Sequence, residues 1–263
     1  MTTPISLAAR DSATMLRRQL RHMSRNLPTL LMLLAVPVVL LLLFVYVLGG
    51  TLGDGLGGSG GRAAYVDYVT PGILLITIAN AVQGTAFAVA VDMREGIIAR
   101  FRTMAIARAS VLTGHVLGSL VQVLLQLAAV LGVAVLVGFR PDATAVEWLA
   151  TTGVLVATAF ASVWSAVAMG LASRTVAGAG NLTLLLTLLP FFGSGFVPTD
   201  SLPAGLRWFA EHQPFTPIME TLRGLLLGTP IGNGAALALG WCAAIALAGY
   251  LCAKRLYERD RAR

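Results

Sequence analysis

Three glycines, Gly53, Gly55 and Gly58, stand within the stretch Gly49 to Gly61 (GGTLGDGLGGSGG) as G-x-G-x-x-G, the spacing with which a backbone loop wraps a pyrophosphate. That chemistry needs a strand feeding the loop and a helix N-terminus receiving it, because the helix dipole and free N–H groups hold the phosphates. Neither neighbour fits. Upstream, Leu30 to Leu48 carries no charge and no polar side chain except the Tyr46 hydroxyl, and its length is about that of a hydrocarbon-core crossing. Downstream, Pro71 and Gly72 open a second apolar run. The glycines therefore read as a flexible linker between two membrane spans.

The other reactive side chains assemble no centre either. Asp67, His115 and Glu147 all fall near the ends of apolar runs, whereas a proton relay or ion-coupled carrier places ionisable groups at mid-membrane. No second ligand is spaced to join His115 on a metal, so no metal site is expected and His115 reads as an interfacial hydrogen-bonding residue. Cys242 and Cys252 sit ten residues apart on one predicted helix, about 15 Å along its axis and too far for a disulfide. Both read as small core residues. The spans contain no paired-carboxylate or nucleophile-and-base constellation, which argues against an intramembrane enzyme, so no catalytic residue is assigned.

The elements that carry these residues follow from composition. The chain has 263 residues, of which 57% are hydrophobic and only 12% charged, and a mean hydropathy of +0.80. Soluble domains carry about a quarter charged residues, so the chain reads as an all-α integral membrane protein. Uncharged apolar runs predict six transmembrane helices at about 29–48, 69–91, 111–138, 147–172, 177–197 and 233–253. With both termini on one side, all basic residues face that side except Arg62, Arg140, Arg207 and Arg223 of the 19. The positive-inside rule then puts both termini in the cytoplasm. The net charge of +7 is thus a topology signal, and no basic patch interleaved with aromatics invites nucleic acid. Eighteen arginines to one lysine point to a GC-rich bacterial genome, hence a bacterial plasma membrane.

Residues 1–28 form the first cytoplasmic segment, and within it Leu16, Leu20, Met23 and Leu27 recur at helical spacing. Arg17, Arg21 and Arg25 make a basic stripe on another face, so this helix is expected to lie in the headgroup region against anionic membrane lipid. The loop 92–110 sets Ile97, Phe101 and Met104 along one edge with Arg94, Arg100, Arg102 and Arg108 around it. An exposed Phe–Met edge ringed by arginine reads as a docking element for a partner. Inside the membrane, His115, Ser119, Gln122 and Gln126 share one face of the third span, and Thr77 and Asn80 share a face of the second. These stripes either line a weakly polar pathway or hydrogen-bond packed helices together. Pro190 interrupts the fifth span, and the segment 198–232 that follows holds two stretches each too short to cross, with Glu220 and Arg223 spaced at i, i+3 to pair on a polar face.

Several short runs resemble one family. Glu95-Gly96-Ile97-Ile98, Arg100-Phe101-Arg102-Thr103-Met104 and Ala107-Arg108-Ala109 are similar to the cytoplasmic loop of type 2 ABC exporter permeases, particularly the daunorubicin-resistance branch. The resemblance continues at Asp67-Tyr68-Val69-Thr70-Pro71-Gly72-Ile73, Phe196-Val197-Pro198, Gln213-Pro214-Phe215-Thr216-Pro217 and Leu222-Arg223-Gly224-Leu225-Leu226. It implies a permease subunit whose loop helix couples to a separate cytoplasmic ABC ATPase, with two six-span subunits, alike or paralogous, forming the pathway for an exported compound. It also implies that the segment 198–232 is an outer re-entrant helical hairpin, with Pro190, Glu220 and Arg223 at an outer gate. Glu95 joins the docking residues on the same basis. Consistent with a separate motor, the chain has no G-x-x-x-x-G-K-[ST] and no soluble segment large enough for a nucleotide-binding domain, so ATP and magnesium are expected on the partner.

Overall fold

The computed structural model describes residues 27–55, 61–94, 108–173 and 175–259. Among them every regular element is helical. The order is α1 (Leu27–Leu42), a π-helical segment (Leu43–Leu48), α2 (Gly49–Gly55), α3 (Gly61–Arg94), α4 (Arg108–Val137), α5 (Ala145–Ala172) and α6 (Val176–Leu188). There follow 3-10 turns at Leu189–Phe192 and Thr199–Ser201, then α7 (Ala204–His212), α8 (Phe215–Leu227) and α9 (Gly234–Arg259). The amphipathic N-terminal segment with Arg17, Arg21 and Arg25 lies outside the described residues.

Among the described residues, five stretches are long and apolar enough to cross a membrane: Leu31–Gly55, Gly61–Arg94, Val116–Val137, Ala145–Ala172 and Gly234–Glu258. Where the sequence predicts the fifth of six spans stands the shorter apolar helix Val176–Phe192. Its α-helical part ends at Leu188, ahead of Pro190, whose missing N–H and fixed φ suit the 3-10 turn that follows.

The Gly-rich linker is a correction. It is helical over Gly49–Gly55, and α3 begins at Gly61 rather than near residue 69. Packing overrides the low helix propensity of glycine here: a Cβ on Gly49 would meet the Arg62 side chain at 3.2 Å and the Tyr65 ring at 3.6 Å. Along this first membrane-length stretch, Pro37, Leu41, Val45, Gly49 and Gly53 are all buried.

α3 and α5 form the middle of the bundle, and α1, α4 and α9 each turn one face toward them. Small residues set the closest approaches. A Cβ on Gly170 of α5 would lie 2.8 Å from the Ala86 carbonyl of α3, and one on Gly249 of α9 would lie 2.8 Å from the Ser165 nitrogen of α5. Ala238, Cys242 and Ala253 continue the buried stripe of α9, with Cys242 Sγ 3.4 Å from Thr158 Oγ1. Cys252, by contrast, is exposed, which corrects its reading as a core residue. Ten residues at 100° each leave it roughly 80° around the helix from Cys242.

Several buried threonine hydroxyls bond within their own helices. Thr70 donates to the Val66 carbonyl at 2.7 Å, Thr158 to Val154 at 2.8 Å and Thr183 to Ala179 at 3.0 Å. An apolar interior tolerates these three because none of their donors is left open, whereas the buried Thr151 hydroxyl meets no partner among the described residues. α5 starts at a reciprocal cap: the Thr144 N–H donates to Glu147 Oε2 at 2.7 Å, and the Glu147 N–H donates to Thr144 Oγ1 at 3.4 Å. Glu147 is thus a capping residue.

Candidate functional site

The densest polar and aromatic cluster lies where α8 enters one end of the bundle. α8 buries Phe215, Ile218, Met219, Leu222, Leu225 and Leu226, and stops at Gly228, whose φ of 67° is the left-handed cap that glycine adopts without strain. α7 keeps only Ala210 buried. The two short helices are therefore unequal: α8 packs against α3, α5 and α9, and α7 rides on the surface. On α7, Arg207 pairs with Glu211 at 2.8 Å and with Asp200 at 2.6 Å, and the hydrogen bond it donates to Glu211, then the Asp200 charge, raise its pKa.

Arg223 turns inward from α8. Its guanidinium donates to the Ser194 carbonyl at 2.7 Å and to the Tyr68 carbonyl at 3.3 Å, and its Cζ lies 3.9 Å from the centre of the Tyr68 ring. This corrects the expected Glu220–Arg223 pair, since Glu220 is exposed and no ion pair joins them among the described residues. A desolvated guanidinium over an aromatic face is a stronger contact than a surface ion pair. Tyr68 completes a triangle by donating its hydroxyl to the same Ser194 carbonyl at 2.8 Å, and Tyr65 donates to the Phe196 carbonyl at 3.3 Å.

The segment held by these bonds, Gly193–Val197, is bracketed by aromatics: Phe196 lies 4.6 Å from Phe44 of the π segment and stacks 5.2 Å from Phe191. Its glycines are required by proximity. A Cβ on Gly72 would lie 2.9 Å from the Gly195 carbonyl oxygen, and one on Gly195 would lie 2.8 Å from Met219 Sδ. Gln213, at the α7–α8 corner, has an amide that donates to the Leu189 carbonyl at 3.3 Å and accepts from the Gly193 N–H at 3.0 Å. Each motif that carries the family resemblance at this end therefore meets the others: Tyr68 and Gly72, Phe196, Gln213 and Arg223. Of these, the sequence suggests a contact only for Arg223, the pair with Glu220. The available signal was a Phe-Phe-Gly-Ser-Gly-Phe run, in which only close approach on both sides explains two glycines around one serine.

The other predicted sites are placed as follows. Arg94 ends α3 and is exposed, and Arg108 starts α4. Glu95, Ile97, Arg100, Phe101, Arg102 and Met104 lie outside the described residues. In the stripes, Thr77 is buried and bonds its own helix at the Ile73 carbonyl, 2.8 Å away. Ser119 and Gln126 are buried and Gln122 half-buried. The Asn80 Nδ2 and Gln126 Nε2 donors are enclosed without a hydrogen-bond partner among the described residues.

A multi-pass, all-helical membrane protein with a hairpin latched by a half-buried arginine at one end of its bundle is the class these features define. The chain belongs to the ABC-2 type transporter family, whose model matches residues 11–227. It is 30% identical over 219 residues to the probable doxorubicin resistance ABC transporter permease protein DrrC of Mycobacterium tuberculosis, covering 79% of this chain and 75% of that one. It is 25% identical over 195 residues to the daunorubicin resistance ABC transporter permease protein DrrB1 of Streptomyces coeruleorubidus, covering 74% and 67%. The resemblance to drug-resistance permeases thus stands on most of the chain.

Proposed function

We propose that this chain is the transmembrane subunit of an ATP-driven exporter that moves a hydrophobic or amphiphilic compound, such as a drug, an antibiotic or a lipid-like molecule, out of the cytoplasm or inner leaflet. The observation that carries this reading is membership of the ABC-2 type transporter family together with relatives named as drug-resistance permeases. The chain has no ATPase site of its own. ATP and magnesium bind two copies of a separate cytoplasmic ABC ATPase, which dock on the loop around Phe101. The permease works as a homodimer in a bacterial plasma membrane with both termini cytoplasmic. That topology needs an even number of crossings, and Val176–Phe192 supplies the sixth.

The α7–α8 hairpin closes the outer end of the pathway at rest, supported by the helix break at Pro190 and the inward Arg223 contacts. Cargo passes the polar stripes Thr77, Asn80, Ser119, Gln122 and Gln126, a reading supported by the enclosed donors of Asn80 and Gln126 that no described residue satisfies. In inverted vesicles containing the chain and its ATPase, uptake of an anthracycline is expected to need ATP and to survive collapse of the proton gradient. Uptake driven by a proton gradient without the ATPase would mark an ion-coupled carrier and overturn the proposal.

Docking has its own test. Phe101→Ala removes the apolar anchor from an arginine-ringed edge, and anchors of this kind carry about 2 kcal/mol or more of an interface. ATPase recovery on membranes bearing Phe101→Ala is expected to fall by more than about tenfold, with hydrolysis uncoupled from transport. The control is Leu56→Ala in the Gly-rich stretch. Equal recovery from both variants would remove loop 92–110 from the interface.

A further inference from the structure

Two donors of the latch are left without acceptors. Arg223 uses Nη2 for both of its hydrogen bonds, to the Ser194 carbonyl at 2.7 Å and the Tyr68 carbonyl at 3.3 Å, whereas Nε is enclosed and meets no partner among the described residues. Nε and Nη2 are the parallel tines with which a guanidinium grips two oxygens of one carboxylate or phosphate. Here one tine holds neutral carbonyl oxygens and the other holds nothing. Ser194 repeats the pattern. Its carbonyl accepts from Arg223 and from the Tyr68 hydroxyl, while its own hydroxyl, on a residue only 3% exposed, has no partner. No described carboxylate comes within ion-pair distance of Arg223. Enclosed donors without acceptors destabilise the closed hairpin, so the cluster is incomplete as a purely structural device. Its depth is also informative. The 34 residues of α3 span about 51 Å against a hydrocarbon core of about 30 Å, with Arg62 and Arg94 at its two ends. Tyr68, about 10 Å along from Gly61, therefore stands where hydrocarbon meets head groups.

We infer that Arg223 and Ser194 form a recognition site for an oxyanion head group, phosphate or carboxylate, on an amphiphilic cargo. The inference rests on the outer-gate reading and names the class of cargo that the gate favours. Two oxygens of the head group take Nε and Nη2, and the Ser194 hydroxyl donates to the same group. The Ser194 carbonyl then loses its guanidinium, and its hold on α8 goes with it. A ligand shifts an equilibrium only by its differential interaction with the two states. Both idle donors are enclosed while the latch is closed, so the oxyanion binds the lifted hairpin alone and draws it open. A neutral head of the same size offers no charge to the fork, and a cationic one is repelled by it. Selection therefore rests on the fork and the hydroxyl together rather than on the apolar tail.

The test uses the full chain with its ATPase in dodecyl maltoside, with dodecyl phosphate, dodecanol and inorganic phosphate as probes. Amide hydrogen exchange across Gly193–Val197 reports lifting of the hairpin. Dodecyl phosphate is expected to raise exchange with a half-point about tenfold or more below that of dodecanol, and inorganic phosphate at the same concentration to leave it unchanged. Ser194→Ala keeps the latch carbonyl and removes the hydroxyl, and is expected to reduce that ratio several-fold. Arg223→Lys keeps the charge, loses the fork, and is expected to bring the ratio close to one. The ratio is taken within each variant, so a merely looser hairpin moves both half-points and leaves it intact. Equal half-points for the two amphiphiles, or a ratio that neither substitution changes, overturns the site, while ATP-driven uptake in inverted vesicles continues to support the exporter. Lifting by inorganic phosphate alone makes this a free-anion site and overturns the cargo assignment. The full ratio without any ATP-driven uptake supports the oxyanion fork and overturns the exporter reading.

Discussion

Arg223→Ala is expected to abolish export and loosen the α7–α8 hairpin, whereas Glu220→Ala leaves both near their original values. Two helical neighbours of opposite charge thus differ sharply because their surroundings do. Among the described residues, Arg223 is the side chain of α8 whose hydrogen bonds reach both α3 at Tyr68 and the Gly193–Val197 segment at Ser194. Hydrogen bonds from a charged donor contribute about 1.5–3 kcal/mol each when buried, and truncation also strips the Tyr68 ring of its cation. Loss of about 3 kcal/mol at the latch is enough to leave the hairpin unseated in most molecules. Glu220 is exposed and acts on Arg223 through its charge alone, with no described residue at hydrogen-bond distance. Arg223→Met, which keeps the volume and removes the donors, is expected to resemble Arg223→Ala, while Arg223→Lys recovers part of the activity. Vesicle transport and protease accessibility of the hairpin measure the two effects. Equal loss from Glu220→Ala and Arg223→Ala would mean that a surface pair orients the hairpin after all.

Gly72→Val is expected to unseat the same latch from the opposite side. The Cβ of any residue at 72 falls within 2.9–3.2 Å of the Gly195 oxygen, Cα and carbonyl carbon, which are backbone atoms and cannot rotate away. Overpacking of this kind costs about 1–3 kcal/mol, with the branched valine at the upper end. Gly132→Val on α4 is the control, since nothing lies within 4 Å of its Cβ and that face is exposed. A thermal-unfolding midpoint in detergent is expected to drop for Gly72→Val and to hold for Gly132→Val. Identical midpoints would show that the two backbones separate without consequence.

Hydropathy located every membrane-length helix among the described residues, because burial in lipid demands long uncharged runs whatever the neighbours are. It also marked two stretches too short to cross, which the family resemblance made the helices α7 and α8, while the break at Pro190 follows from one missing N–H. Contacts between distant segments were not legible. Arg223 has one visible opposite charge three residues away, but its partners lie 29 and 155 residues off in the chain. The helical state of Gly49–Gly55 was hidden for a related reason: glycine is a poor helix former by itself, and only the apposed Arg62 and Tyr65 convert its bareness into an advantage. The Thr144 cap was within reach of local reasoning, since Thr-x-x-Glu ahead of an apolar run is a start signal by itself.

The π segment settles a question of phase. Residues four apart on an α-helix advance about 40° beyond a full turn, so a stripe at 37, 41, 45, 49 and 53 would wind off any flat neighbour within its own length. The wider i to i+5 turn at Leu43–Leu48 runs that drift backwards over the middle of the stretch and brings Gly49 back beneath Arg62 and Tyr65 and Gly53 against the Gly61 backbone. Restoring ordinary winding there would swing the glycine edge away from α3 and carry Phe44 off Phe196 in the same rotation. The first span is thus indexed to the hairpin like a key to its wards, and any axial turn of one is felt at the other.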